Sequence, residues 1–206
     1  GFNAKSNHYG YAQTSTGPGH STVATGTHPG VHGIIGNSWF DKKSKKSIYC
    51  VDDFNYKTVG SKTNQGEKSP SNLLTTTLSD ENRVATNFKG KTIGVAIKDR
   101  GSILSSGHTA NAAYWFDSKE GSFITSTYYL TDLPFWAEEF NKSRHIDSYL
   151  KPWDTYYDIS TYVESSLDNN NYESNFSGEE NPVFPHNFKI KNDNTGEAYY
   201  GSIAST

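Results

Sequence analysis

Three short runs of β-branched and aromatic residues constrain the fold most: Thr92–Ile97 (TIGVAI), Ala112–Phe116 (AAYWF) and Ser122–Thr127 (SFITST). Each has the length and composition of a strand. The last two are separated by Asp-Ser-Lys-Glu-Gly, which suits a hairpin loop. Ser47–Val51 (SIYCV) reads as a further strand. Helical segments alternate with these runs. Thr16–Thr25 has Thr16 at its cap, Pro18 in its first turn and Gly26 to end it. Thr77–Phe88 places Leu78, Val84, Ala85 and Phe88 at helical spacing, with Ser79 as cap, and Asp132–Phe140 begins on Asp132 with Pro134 early. The alternation predicts an α/β domain, whose sites lie at the carboxyl ends of strands. Glu164–Pro185 reads as a long polar loop, and Asn192–Thr206 has no apolar periodicity.

Composition narrows the partners. Hydrophobic residues make up only 33% of the 206-residue chain, while aromatics reach 14%, led by 14 tyrosines. Many rings must therefore sit at half-wet positions with their hydroxyls bonded. The net charge is -3, and the one dense basic run, Lys42–Lys46 (KKSKK), reads as an exposed turn rather than a nucleic-acid patch. No apolar run approaches membrane-spanning length, and no signal peptide opens the chain. The single cysteine, Cys50, allows no internal disulfide. Methionine is absent, so the chain is expected to be a processed or truncated polypeptide.

Chemistry concentrates in residues 14–37, rich in glycine and hydroxyls and carrying His20, His28 and His32. Glycines let a backbone approach a ligand closely, and hydroxyls and imidazoles supply reactive groups. Three motif readings fall short. Val95–Lys98 (VAIK) matches the lysine strand of protein kinases but lacks their other motifs. STGPGHST has no Gly-Lys-Ser/Thr. The three histidines lack a carboxylate or cysteine to complete a zinc set. A stronger reading takes Thr16 as a nucleophile, because the free N–H groups and positive dipole end of a helix favour an alkoxide and bind phosphate. The alternative is a plain helix cap. Lys98 and Arg100, directly after the TIGVAI strand, are placed to meet an anion; the alternative there is a solvated strand end.

Thr16-x-x-x-His20, ATGTHPGVHGIIGNSWFD (Ala24–Asp41), SIYCVDD (Ser47–Asp53), SPSNLLTTTLSDE (Ser69–Glu81) and the stretch Ala85–Asp117 together resemble the alkaline phosphatase superfamily. Within it they are similar to the threonine-nucleophile phosphomonoesterases, periplasmic enzymes of the Bacteroidetes type related to nucleotide pyrophosphatase/phosphodiesterases. The resemblance continues through Gly121–Asn141 and covers most of the chain. It implies part of an alkaline-phosphatase-like three-layer α/β sandwich with an inserted loop and hairpin region. One catalytic domain would then include all of 1–206, with the nucleophile segment in 1–40 and the Lys/Arg pair in 41–206.

The resemblance also implies roles. Thr16 would be the phosphorylated nucleophile and a zinc contact, Asn37 a donor to a phosphoryl oxygen, and Lys98 and Arg100 the cation pair of the monoesterase branch. Two zinc ions would be expected, with Asp and His ligands before residue 1 and beyond residue 206. His20, His32 and His108 match none of them and are expected to bond backbone or line the wall. Small phosphomonoesters are the expected substrates, a periplasmic or secreted location is implied, and the isolated chain would be inactive. A phosphodiesterase of the same superfamily is the alternative, as is a non-catalytic phosphate- or sugar-binding module if the chain is complete.

Overall fold

A computed structural model describes residues 1, 3–176, 179–187 and 200. The chain divides into two compact units: Gly1–Phe116 with Phe123–Pro134, and Asp117–Ser122 with Phe135–Thr206.

The first unit is built on a four-stranded sheet in the order β3-β6-β5-β4, formed by β3 (Thr58–Val59), β4 (Ile93–Ala96), β5 (Ala112–Asp117) and β6 (Ser122–Ser126). β4 and β5 run parallel, with Ile93 opposite Ala112 and Ala96 opposite Trp115, whereas β3 is antiparallel to β6. A parallel pair requires a crossover. Here the crossover contains α4 (Asp99–Ser106), a helix not anticipated from the sequence. Ile103 and Leu104 of α4 are fully buried with Ile34, Val51, Trp115 and Ile124, and these form the core. α4 also packs on α1 (Thr16–Thr25). The contact depends on Gly101, where a Cβ would stand 3.0 Å from His20 Nε2 and 3.4 Å from the Ala96 Cβ.

α1 has the expected bounds, but Ser15 is the cap and Thr16 is the first helical residue; Gly26, at φ 68°, ends it. His28 caps a single turn, α2 (Pro29–His32). A second, two-stranded sheet pairs β1 (Ser38–Asp41) with β2 (Lys46–Tyr49). The basic run Lys42–Lys46 forms the exposed turn between these strands and the start of β2, with Asp41 accepting the Lys43 and Ser44 amides. β2 stops two residues short of the expected Val51. The Cys50 amide donates to Asn37 O and the Asp52 amide to Tyr49 O, so the chain turns there.

The helix expected over Thr77–Phe88 is α3, Leu78–Ala85, and its cap is Thr77 rather than Ser79. Asp80 stands three residues after Thr77, so the two side chains close a reciprocal capping box. The Ser79 hydroxyl instead donates to Ser105 O. The apolar residues at helical spacing, Leu78, Val84 and Phe88, are exposed, and the residue turned inward is Asp80.

The second unit contains α5 (Phe135–Lys142), 3-10 turns at His145–Tyr149 and Ile159–Thr161, and a Trp153–His186 bridge. α5 starts after Pro134, so Asp132 is not its cap: a residue preceding proline is kept out of the helical region, and Leu133 breaks the run. The expected loop over Glu164–Pro185 has no helix or strand among its described residues. Of Asn192–Thr206 only Tyr200 lies among the described residues.

Asp80 is the most demanding polar group in this core, at 1% exposure. Burial alone would raise its carboxyl, but the Thr77 amide, the Thr109 amide and hydroxyl and the His108 backbone hold it below the ordinary range. The folded chain therefore binds this proton less readily than the unfolded chain. The resulting stabilisation is complete above the ordinary carboxylate pKa and is lost as pH falls through the lowered folded value. In the full-length protein, Asp80→Asn should cost about 2–4 kcal/mol at neutral pH, because buried donors lose a charged acceptor. Urea unfolding measured from pH 7 down to pH 3 should show the gap between variant and wild type narrowing with acidity.

Candidate active site

Thr16 occupies the first position of α1, where the backbone N–H groups of the opening turn have no intrahelical partner. Ser15 makes no side-chain cap bond, so the helix end is not closed by its own hydroxyl. The Gly17 amide is instead taken by Asn37, whose Oδ1 accepts it at 2.7 Å. Asn37 is anchored in turn, because its carbonyl accepts the Cys50 amide at 3.0 Å. The bond from Gly17 also fixes which end of the carboxamide is oxygen, so both Nδ2 hydrogens remain for another acceptor. Gly17 is required for this approach. A Cβ there would lie 3.2 Å from Asn37 Oδ1, 3.2 Å from Gly36 O and 3.3 Å from Cys50 Sγ.

Arg100 stands on the first turn of α4, the helix that packs on α1 one turn beyond Thr16. Its Nη1 donates to the Tyr49 hydroxyl at 2.5 Å, while its Nε is buried with no partner among the described residues. Lys98 caps the same helix and is exposed, with no hydrogen bond or ion pair on its ammonium among the described residues. Thus Thr16 and Asn37 meet directly through Gly17. Lys98 follows the carboxyl end of β4 and Arg100 stands in the first turn of α4, which rests on α1.

Several residues here carried no signal that singled them out. Tyr49 donates to Asp99 Oδ1 at 2.7 Å, and Lys68, 8% exposed, bridges Asp99 (3.3 Å) and Asp52 (2.9 Å). α4 itself could have been inferred from the gap between two strands that turn out to be parallel. Cys50, although close to Gly17, is no competing nucleophile. Burial, reinforced by the charge of Asp99, pushes its thiol up to about 12, so it stays protonated at neutral pH.

The histidines serve the frame. His32 is buried; burial first and the charge of His28 second hold its pKa below the ordinary value, so it is neutral. Its Nδ1 accepts the Ile34 amide, which leaves Nε2–H to donate to Thr22 Oγ1. His108 Nε2 bonds Leu73 O, and His20 lies against Gly101. No group of three His, Cys, Asp or Glu that could hold a metal exists among the described residues. Of the expected zinc contacts they contain only Thr16.

Comparison with known proteins gives a consistent picture. The family of type I phosphodiesterases and nucleotide pyrophosphatases matches residues 1–184. Alkaline phosphatase PhoV of Synechococcus elongatus is 50% identical over 92% of this chain and 34% of its own length. A Myroides odoratus protein named calcium-transporting ATPase is 47% identical over 94% of this chain and 36% of its own. The crystal structure of alkaline phosphatase PafA superimposes with a TM-score of 0.84 at 40% identity, covering 93% of this chain and 36% of that one. A PafA variant, with one threonine changed to serine and an asparagine, a lysine and an arginine changed to alanine, superimposes at a TM-score of 0.86 and 38% identity. The chain therefore has the α/β fold of these phosphatases and spans about a third of their length.

The Gly17–Asn37 bond yields a direct test. Asn37→Ala leaves the buried Gly17 amide without its acceptor and should destabilise the full-length protein by about 1–2 kcal/mol. Asn37→Asp, which keeps an oxygen at that position, should recover most of this in urea unfolding.

Proposed function

The chain belongs to the type I phosphodiesterase/nucleotide pyrophosphatase family, and on that basis we propose that the protein containing it is a phosphomonoester hydrolase of the alkaline phosphatase type, with residues 1–206 forming part of one catalytic domain. Thr16 is the nucleophile. Its oxygen attacks phosphorus, the bond to the leaving oxygen breaks, and water then hydrolyses the phosphothreonine to release phosphate and free the hydroxyl. The carrying observation is the 2.7 Å bond from Gly17 N–H to Asn37 Oδ1, which leaves the Asn37 amide donors beside the residue that follows Thr16. Those donors bind one non-bridging oxygen, and Arg100 and Lys98 bind the others.

The variant of PafA supports the same set. Its replaced threonine, asparagine, lysine and arginine follow one another at intervals of 21, 62 and 2 residues. Thr16, Asn37, Lys98 and Arg100 stand at intervals of 21, 61 and 2. The proposal includes two zinc ions, held by Thr16 and by ligands outside this chain. Zinc, when bound, lowers the pKa of a coordinated hydroxyl and stabilises a leaving oxygen. It also includes small phosphomonoesters as substrates, no nucleic acid as partner, and a periplasmic or secreted location. No helix among the described residues is long and apolar enough to cross a membrane.

The nucleophile is tested by acid-quenching the full-length enzyme during turnover of an aryl phosphate and mapping the phosphorylated peptide. Phosphate should be found on Thr16, and Thr16→Ala should remove it. A phosphoryl group found elsewhere would overturn the assignment.

The monoester preference rests on Lys98 and Arg100. A monoester presents a dianionic group, whereas a diester replaces one charged oxygen with an ester. In the full-length enzyme, replacing both cations with alanine should lower monoester kcat/KM by about 10²-fold or more, while diester hydrolysis falls far less. Equal losses on aryl phosphate and aryl diester would favour the phosphodiesterase reading.

A further inference from the structure

Arg100 is held in place by a neutral oxygen. Its Nη1 donates at 2.5 Å to the hydroxyl of Tyr49, the last residue of β2, and its Cζ lies 5.3 Å from that ring's centroid. The same hydroxyl donates its proton to Asp99 Oδ1 at 2.7 Å, and the Arg100 backbone amide meets that carboxylate oxygen at 2.6 Å. The other Asp99 oxygen faces Lys68 Nζ at 3.3 Å, and Lys68 reaches Asp52 at 2.9 Å. Lys68 also sits 4.8 Å from the centroid of the Tyr49 ring.

We propose that Tyr49 is the positioning residue of Arg100, aiming its guanidinium at the phosphoryl group through a hydroxyl whose direction is set by Asp99. The proposal rests on the reading above that Arg100 binds a phosphoryl oxygen. Burial first, then the charge and hydrogen bond of Asp99, raise the pKa of the phenol well above its ordinary value, and Arg100 offsets this only in part. Tyr49 therefore keeps its proton, donates it to Asp99, and has only an oxygen lone pair to offer Arg100. The polarity of the chain Arg100→Tyr49→Asp99 is fixed.

The neutral intermediary matters electrostatically. A carboxylate paired directly with the guanidinium side chain would satisfy its charge and compete with an incoming phosphoryl dianion. Tyr49 separates the Asp99 carboxylate from the Arg100 side chain by one hydroxyl, while Lys68 engages that carboxylate from its other oxygen. Arg100 is thus oriented without surrendering its charge. Its buried Nε, without a partner among the described residues, is one of the donors that remain.

The experiment is a double-mutant cycle in the full-length enzyme, with Tyr49→Phe, Arg100→Ala and the pair. The readouts are aryl phosphate kcat/KM, aryl diester kcat/KM and inhibition by inorganic phosphate. Tyr49→Phe should lower monoester kcat/KM and weaken phosphate inhibition by about 5–30-fold, leave diester hydrolysis within about 3-fold, and add nothing further once Arg100 is alanine. If Tyr49→Phe does not fold, Asp99→Asn, which removes the charge that directs the hydroxyl, should shift the same two readouts in the same direction through Arg100 alone. Fully additive losses, or equal losses on monoester and diester, would overturn the positioning role. If Arg100→Ala itself changes neither monoester turnover nor phosphate inhibition, it is the phosphoryl-binding reading that has failed.

Discussion

The packing of α1 on α4 governs the geometry of the rest of the first unit. α4 is the crossover demanded by the parallel pair β4–β5, and its apolar residues Ile103 and Leu104 lock it into the core. Its first turn meets α1 at Gly101, where even a methyl group would press on His20. The hydroxyl at the start of α1 and the cations at the start of α4 therefore belong to two elements whose separation is set by van der Waals contact. Two packed helices can hold groups at this precision more reliably than the loops around them.

Around that contact, polar groups are spent on orientation. Asn37 uses its oxygen on the Gly17 amide and its carbonyl on Cys50, which binds the start of α1 to the β1–β2 ribbon. His32 is kept neutral by burial and bonds Thr22 and Ile34. Asp80 ties the cap of α3 to Thr109. In each case a buried polar atom is matched by a partner, because leaving it unmatched would cost as much as several apolar contacts contribute. The matching is not universal among the described residues: Arg100 Nε and the hydroxyls of Ser21, Thr75, Ser102 and Ser122 are buried without a partner, and the exposed Lys98 ammonium makes no hydrogen bond or ion pair.

Helix patterning proved the least faithful guide to burial. Leu78, Val84 and Phe88 stand at helical spacing along and just beyond α3, yet all three are exposed and Asp80 is inside. The Asp80 carboxylate accepts four bonds, from the Thr77 amide and hydroxyl and from the Thr109 amide and hydroxyl, so the buried residue of this eight-residue helix is its satisfied polar one. α4 was missed because its buried face is largely small and polar, with Gly101, Ser102 and Ser106 beside Ile103 and Leu104. Such a face carries little hydrophobic periodicity, although it packs as closely as any other.

Local chemistry was enough to identify strands β4, β5 and β6 and helix α1 with its glycine stop, and it singled out Thr16, Lys98 and Arg100 as candidates, whereas Asn37 entered only through the family resemblance. The elements follow from short-range rules: β-branched runs pair and glycine ends a helix. The Gly17–Asn37 bond spans 20 positions, and the contact between Arg100 and Tyr49 spans 51. No local rule encodes either one. They exist because the core brings α1, α4 and the end of β2 together, and a desolvated polar atom must then find whatever partner the packing presents.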